Sequence, residues 1–279
     1  MITDDLVLVA ADNTFQQPGI GHVYAFQLTT GRVEWKYRSE SGVASDVIRL
    51  GPRVYVITLA NELICLSLAT GRLEWTFTSG IKKTGNLHDI TAPAVADAGV
   101  FMATSDAFVH AFDAESGQEL WKREVQGQVT TTPVVWRDRL FIGTSDRHMY
   151  ALSPRNGETM AALILPEAPR CTPVGRGETL LVFLGRSGLA ALDARLTRVC
   201  WTYNTGSSWG PSRPCVRDRL VLVGSSDGRL AALSLDDGTL QWSRTFAGED
   251  IRSIGGTEDI FYIGTLRGML YACKAGPGN

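Results

Sequence analysis

Histidine is scarce in this chain of 279 residues, with four in all. None of them stands at HxH or HExxH spacing, so the common strand- and helix-borne metal ligand sets are not indicated. Cysteine is scarce too. Cys65, Cys171, Cys200, Cys215 and Cys273 are odd in number, with no CxxC and no adjacent pair, which argues against a disulfide framework. Each falls in an expected strand, where cysteine acts as a small hydrophobe, and they read as free buried thiols. Such thiols lean toward a reducing, cytoplasmic setting. An excess of one charge is also missing: 27 basic residues face 29 acidic ones, for a net charge of −2. No electrostatic footprint for nucleic acid or an anionic membrane follows from that balance. The early apolar run Leu6–Ala11 lacks a basic flank and is too short for a signal peptide or a membrane span.

What the chain does have is repetition. Phe108–Trp121 reads FVHAFDAESGQELW. Related stretches end at Trp35, Trp75, Ala161, Trp201 and Trp242, and a further copy starts at Leu270. A period of about forty residues with strand-like texture throughout is the signature of a β-propeller. Seven copies predict an all-β, seven-bladed propeller of four-stranded antiparallel blades, forming a single domain over residues 1–279. The first and last blades are incomplete within the chain. Met1 aligns with the tail of a first strand, and the seventh copy stops after its third strand. The expectation is either a domain trimmed from a longer protein or a propeller closed by an incomplete blade.

Each repeat divides into four short strands separated by turn residues. The first carries a small or hydroxyl pair before proline, at Pro93, Pro133, Pro173 and Pro214. Proline is tolerated there because a strand at a sheet edge has no ladder partner on one side. The second is a β-branched and aromatic run, such as VYVIT from Val54 or LFIGT from Leu140. The third holds a column of small residues: Ala25, Cys65, Ala111, Ala151, Ala191, Ala232 and Ala272. The glycines Gly31, Gly71, Gly117, Gly157 and Gly238 fall in the turn that follows, where positive φ suits glycine. Trp35, Trp75, Trp121, Trp201 and Trp242 then supply large flat rings to wedge between adjacent sheets. Ala161 in place of Trp and Thr197 in place of Gly predict a looser seam around the fourth and fifth blades.

The pattern AhDxxxGxxxW in these copies resembles the tryptophan-docking repeat of the quinoprotein-like propeller superfamily, and the resemblance covers the whole chain. That superfamily includes quinone-dependent alcohol dehydrogenases, a non-enzymatic outer-membrane assembly lipoprotein, and sensor or accessory domains fused to kinases and adenylating enzymes. The motif concerns packing, so it implies fold rather than activity. An enzyme of the family would be expected to show a vicinal disulfide, a Glu/Asn/Asp calcium constellation and a catalytic aspartate. The adjacent cysteine pair is missing here. The resemblance alone brings pyrroloquinoline quinone into view as a cofactor; the residues themselves call for none.

Candidate binding residues come from the irregular parts. Asp12–Gly21 and Thr78–Asp89 lengthen loops expected on one face, and insertions on one side of a scaffold point to the working side. They contribute Phe15 and Gln16 from the first, and Lys82, Lys83, His88 and Asp89 from the second. The openings of the first strands should line the channel mouth with Asp46, Arg170, Arg213 and Arg252, which suits a small polar or anionic ligand or a hydrated, self-neutralised channel. Trp209, in GSSWGPS, belongs to no repeat column and suits a ligand platform, an interface anchor or a loop plug. Asp106, Asp146 and Asp227 all occupy the same second-to-third-strand turn, and Asx-turn chemistry accounts for them. The reading is a non-catalytic binding, scaffold or sensor module that docks a protein, another domain of its polypeptide or a small polar ligand. The competing reading is a quinone-dependent dehydrogenase working at the channel mouth.

Overall fold

The computed structural model describes every residue except 13–18, 44, 81–91, 98, 105, 186–187, 205–212, 257–259 and 275–279. The described residues form 26 strands in seven antiparallel sheets. The first sheet contains β1 (Leu6–Asp12), β2 (Gly21–Gln27) and β3 (Val33–Ser39). The second contains β4 (Ile48–Leu50), β5 (Arg53–Ile57), β6 (Glu62–Ser67) and β7 (Leu73–Thr78). The third is built from β8 (Ala94–Ala96), β9 (Gly99–Ala103), β10 (Phe108–Asp113) and β11 (Glu119–Glu124). The fourth runs β12 (Val134–Trp136), β13 (Arg139–Gly143), β14 (His148–Leu152) and β15 (Thr159–Ile164). The fifth follows with β16 (Pro169–Arg176), β17 (Thr179–Leu184), β18 (Gly188–Asp193) and β19 (Val199–Tyr203). The sixth has β20 (Cys215–Arg217), β21 (Leu220–Gly224), β22 (Arg229–Ser234) and β23 (Leu240–Thr245). The seventh is β24 (Ile251–Gly256), β25 (Ile260–Thr265) and β26 (Leu270–Lys274).

In every sheet the strands pair in chain order, so each forty-residue repeat folds as one up-and-down blade of a β-propeller. The first strands stand at sheet edges, and Pro93, Pro133 and Pro214 lie just ahead of β8, β12 and β20. Pro173 lies inside β16, where the register with β17 shifts between Arg170 and Val174. Edge and bulge are the places where a missing N–H does no harm. The first sheet lacks a full first strand, but Ile2 bridges Val7 in the place one would occupy.

Second and third strands hold the core. In the second to sixth sheets their middle residues are buried on both faces, while the fourth strands alternate between exposed and half-buried. The pattern follows from layering: a sheet covered on both sides reads as a continuous apolar run, and a rim strand reads as alternation.

The chain clusters into two compact units, Met1–Phe141 with Leu152–Thr159, and Ile142–Ala151 with Met160–Asn279. In the first unit, Leu8, Val23, Ala25 and Trp35 of the first sheet pack on Val54, Val56, Ile64 and Leu66 of the second. Tyr55, Leu63 and Cys65 of the second pack on Val100, Met102 and Phe112 of the third. In the second unit, Leu181, Leu189 and Ala191 meet Val221, Val223 and Leu233. Leu222, Leu230 and Ala232 then meet Phe261, Ile263 and Cys273. No helix among the described residues is long and apolar enough to cross a membrane.

All five cysteines are free and lie in strands, but the expectation that all are buried fails. Cys65 and Cys273 are buried, Cys171 and Cys215 are half-buried, and Cys200 is exposed. Cys200 sits on the rim strand β19, whose alternation turns it outward. Burial pushes the Cys65 thiol up to about 12, so it stays protonated and packs as a small apolar group.

Candidate functional site

The residues that recur in every repeat are engaged in joining repeats. Ala25, Cys65, Ala111, Ala191 and Ala232 stand directly opposite Trp35, Trp75, Trp121, Trp201 and Trp242 across the third and fourth strands. A small side chain there leaves the indole room on the shared face. A bulge follows each of these pairs, which re-aims the ring toward the neighbouring repeat.

Four of the indoles then lie over the turn glycine of the next repeat. A Cβ at Gly117 would stand 2.6 Å from the Trp75 ring, one at Gly157 2.7 Å from Trp121, and one at Gly238 2.5 Å from Trp201; Gly71 is crowded by Trp35 in the same way. The indole N–H also donates to a backbone carbonyl of that repeat: Trp35 to Leu68 (2.9 Å), Trp75 to Ala114 (3.3 Å), Trp121 to Pro154 (2.9 Å) and Trp201 to Leu235 (3.1 Å). Tyr55 reinforces one such seam, donating its hydroxyl to Ala114 at 2.8 Å. The rings are not deep wedges. Trp35 is buried, and the other four are half-buried at the rim.

The two departures from the pattern fall on one seam. Docking runs from the indole of one repeat to the glycine of the next, so Ala161 and Thr197 are the two halves of a single missing pair. The turn is rebuilt to match. Leu196, not residue 197, takes the positive φ of 60°, and its N–H closes a shorter turn onto the Asp193 carbonyl at 2.9 Å. Leu196 is buried, whereas Ser116, Asn156 and Asp237 at the same turn position are exposed. The Asp193 carboxylate accepts from the backbone N–H groups of Arg195, Thr197 and Arg198 and from the Thr197 hydroxyl. Burial works against the charged carboxylate, but these bonds prevail and its pKa is lowered.

The remaining chemistry-bearing side chains of the repeats are mostly local. The Thr144 hydroxyl donates to Asp146 at 2.5 Å, and the Ser225 hydroxyl donates to Asp227. Both carboxylates therefore serve their own turns. His148 faces Asp146 with Nδ1 at 2.9 Å, within the same hairpin. His110 is buried between Phe77 and Phe112 and bonds Glu119 at 3.2 Å. Burial lowers its pKa despite that carboxylate, so the ring is neutral at pH 7 and belongs to the core. The stretch 224–228 spells GxSxG, but it turns from β21 directly into β22. A nucleophile elbow needs a strand-to-helix turn.

Of the binding residues expected from the sequence, Phe15, Gln16, Lys82, Lys83, His88, Asp89 and Trp209 lie outside the described residues. Asp46 is exposed beside Ser45, whose hydroxyl accepts from the Ile57 N–H at 2.8 Å. Arg170, Arg213 and Arg252 are exposed at the leading ends of the first strands of the fifth, sixth and seventh sheets. Arg252 pairs with Asp250 at 2.6 Å, and Arg170 and Arg213 have no ion-pair partner among the described residues. Arg170 and Arg213 thus leave exposed positive charge at these strand ends, while Asp250 neutralises Arg252, in a chain whose overall charge nearly cancels.

A cavity of about 350 Å³ was not foreseen. Its lining includes Asp4, Asp5, Arg49, Ser67 and Glu74. It lies among first-to-second and third-to-fourth turns, where tight turns gave no sign of a working surface. A quinone with its calcium ion would need several carboxylate or amide donors converging. Among the described residues no three His, Cys, Asp or Glu side chains gather in this way, and the turn carboxylates Asp146 and Asp227 are engaged locally. The described residues do not fit that group.

A polyvinylalcohol dehydrogenase from a Pseudomonas species is 21% identical over 262 residues, 80% of this chain but 37% of that protein. The outer membrane protein assembly factor BamB of Moranella endobia is 23% identical over 198 residues, 66% of this chain and 50% of that protein. The chain thus spans half or less of the length of these curated relatives. Among solved structures, BamB from Moraxella catarrhalis superposes with a TM-score of 0.81 at 18% identity, covering 98% of this chain and 83% of that one. The computationally designed Ika8 protein gives 0.80 at 13% identity, covering 98% and 82%. The model of the family described as outer membrane protein assembly factor BamB matches residues 2–107, 78–160 and 165–278. With its repeats, its seven blades and that match together, the chain belongs to this family of PQQ-repeat β-propellers.

Proposed function

We propose that the chain is a single-domain, non-catalytic binding module that docks a protein partner on the edge carrying Arg170, Arg213 and Arg252. One observation carries the reading. The recurring Trp, Gly and small residues join the blades and the turn carboxylates Asp146 and Asp227 bond within their own hairpins, while the arginines are exposed and serve neither purpose. The matching relatives named as assembly factors support a partner-binding role. A basic edge calls for an acidic segment on the partner, and such contacts act mainly through steering and specificity.

Chemical crosslinking of the chain in an extract of its source cells, followed by capture, tests this. Exchanging Arg170 and Arg213 for glutamate should leave the melting temperature unchanged and weaken partner capture about tenfold, because reversal replaces attraction by like-charge repulsion. Unchanged capture would remove the edge from the proposal. The dehydrogenase alternative is checked by absorbance titration with pyrroloquinoline quinone and calcium. Stoichiometric binding with dye reduction on adding an alcohol would replace the module reading.

A further inference from the structure

The cavity beside Arg49 and Asp5 stands where the chain departs from its own repeat. It lies wholly within the first compact unit. In the third to sixth repeats the residue two places before the docking turn's glycine position is charged and exposed: Glu115, Arg155, Arg195 and Asp236. The second repeat has Ala69 there, and Ala69 lines the cavity of about 350 Å³. A side chain cut back to one methyl group leaves that turn open. Arg49 is the second departure. It pairs with Val54 between β4 and β5. In the other six sheets the same place holds Ile2, Val95, Val135, Gly175, Val216 and Gly256. No other repeat sets a charge at this position, so the blade architecture does not call for one.

We propose that this cavity binds a small zwitterion of the amino-acid kind, a free amino acid or a dipeptide. Opposite charges share its lining without meeting. Asp4, Asp5 and Arg49 have no ion-pair partner among the described residues. Glu74, which also lines it, is already held by Arg53 at 2.5 Å. Arg49 uses only Nε, donating to the Gly51 carbonyl at 2.9 Å, so its outer N–H groups are left for a carboxylate. Asp4 and Asp5 suit the ammonium group, and Leu6, Pro52 and Leu68 supply apolar wall. A ligand of one sign would leave a like charge facing it; one carrying both signs satisfies each. Few polar groups converging in a concave, partly apolar site is the usual form of a small-molecule pocket, and the volume lies in that range. The walls are fixed without the charged groups. The Leu28 N–H donates to the Asp5 carbonyl and the Leu68 N–H to the Pro52 carbonyl, each at 2.8 Å, and the Trp35 indole holds the Leu68 carbonyl. Such a site needs little ordering to bind. It shares no residue with the arginine edge and stands or falls apart from it.

The test is calorimetric titration of the full chain with leucine and with glycyl-leucine, which separates the two sizes of ligand. At least one should bind saturably with a Kd of about 1 mM or tighter. N-acetyl-leucine and leucinamide each lack one charge and should bind about tenfold more weakly or worse. Ala69→Arg puts into the turn the residue that the fourth and fifth repeats carry. It should abolish binding and leave the melting temperature unchanged. Arg49→Val restores the residue of the third, fourth and sixth repeats. It should weaken zwitterion binding about tenfold but leave leucinamide binding as it was, a split that a general loss of structure would not produce. The proposal is overturned if neither zwitterion gives a saturable signal up to about 10 mM, or if leucinamide binds as tightly as leucine. Binding by Ala69→Arg equal to that of the parent would also overturn it, since the ligand would then sit elsewhere.

Discussion

A methyl group added at Gly117 meets two obstacles, and Gly31 separates them. Both residues adopt positive φ, 72° and 68°, a region that costs a non-glycine residue about 1 kcal/mol. At Gly31 nothing lies within 4 Å of the added carbon, whereas at Gly117 the Trp75 ring is 2.6 Å away. Gly31→Ala should therefore cost about 1 kcal/mol, and Gly117→Ala about 3 kcal/mol once the ring is pushed off its seat. Urea unfolding of the two variants measures the difference, and equal losses would show that the glycine serves φ alone. The positive φ of these turns was legible in the sequence, because glycine after a third strand recurs in five copies. The crowding was not. Gly117 lies four residues before Trp121 along the chain, and nothing in a linear pattern says that its ring partner is Trp75, one repeat earlier.

The same shift of one repeat explains what the element scale shows at the fifth sheet. Read along the sequence, Ala161 and Thr197 predict a looser seam around the fourth and fifth blades; in the fold they are the two missing members of one docking pair. The turn between β18 and β19 has been rebuilt around Leu196, which is buried where other repeats expose a polar residue. Restoring only the indole should then fail. Ala161→Trp alone is expected to destabilise by about 1–3 kcal/mol, since the ring meets a turn that offers no glycine. Combined with replacement of Arg195, Leu196 and Thr197 by the Glu-Ser-Gly of the third repeat, it should recover that loss and add stability. A double-mutant cycle read by denaturant unfolding gives the coupling, and a coupling near zero would mean that the two sites do not share a seam. Strand order, edge prolines and the small-residue column were all readable from periodicity, because each is fixed within one repeat. The bulge beside each tryptophan, the cavity near Arg49 and Glu74, and the exposure of Cys200 were not, since each depends on how neighbouring strands or turns meet.

For the whole molecule the question is whether the seams act singly or together. Each described seam joins one repeat to the next: Trp75 docks on Gly117 and Ala114, and Trp201 docks on Gly238 and Leu235. No residue belongs to both sets. Architectures in which a repeat touches only its neighbours have stabilities close to a sum of repeat and interface terms. Each ring is half-buried, so Trp75→Ala and Trp201→Ala should each cost about 2–3 kcal/mol, below the range for a fully buried tryptophan. If seams are independent, the double variant loses the sum of the two to within about 0.5 kcal/mol. Exchange of backbone amides should then quicken in β6, β7 and β10 for the first variant and in β18, β19 and β22 for the second, without crossing over. A double variant that loses much less than the sum, or amides of β22 that respond to Trp75→Ala, would show that the seven sheets open as one cooperative body.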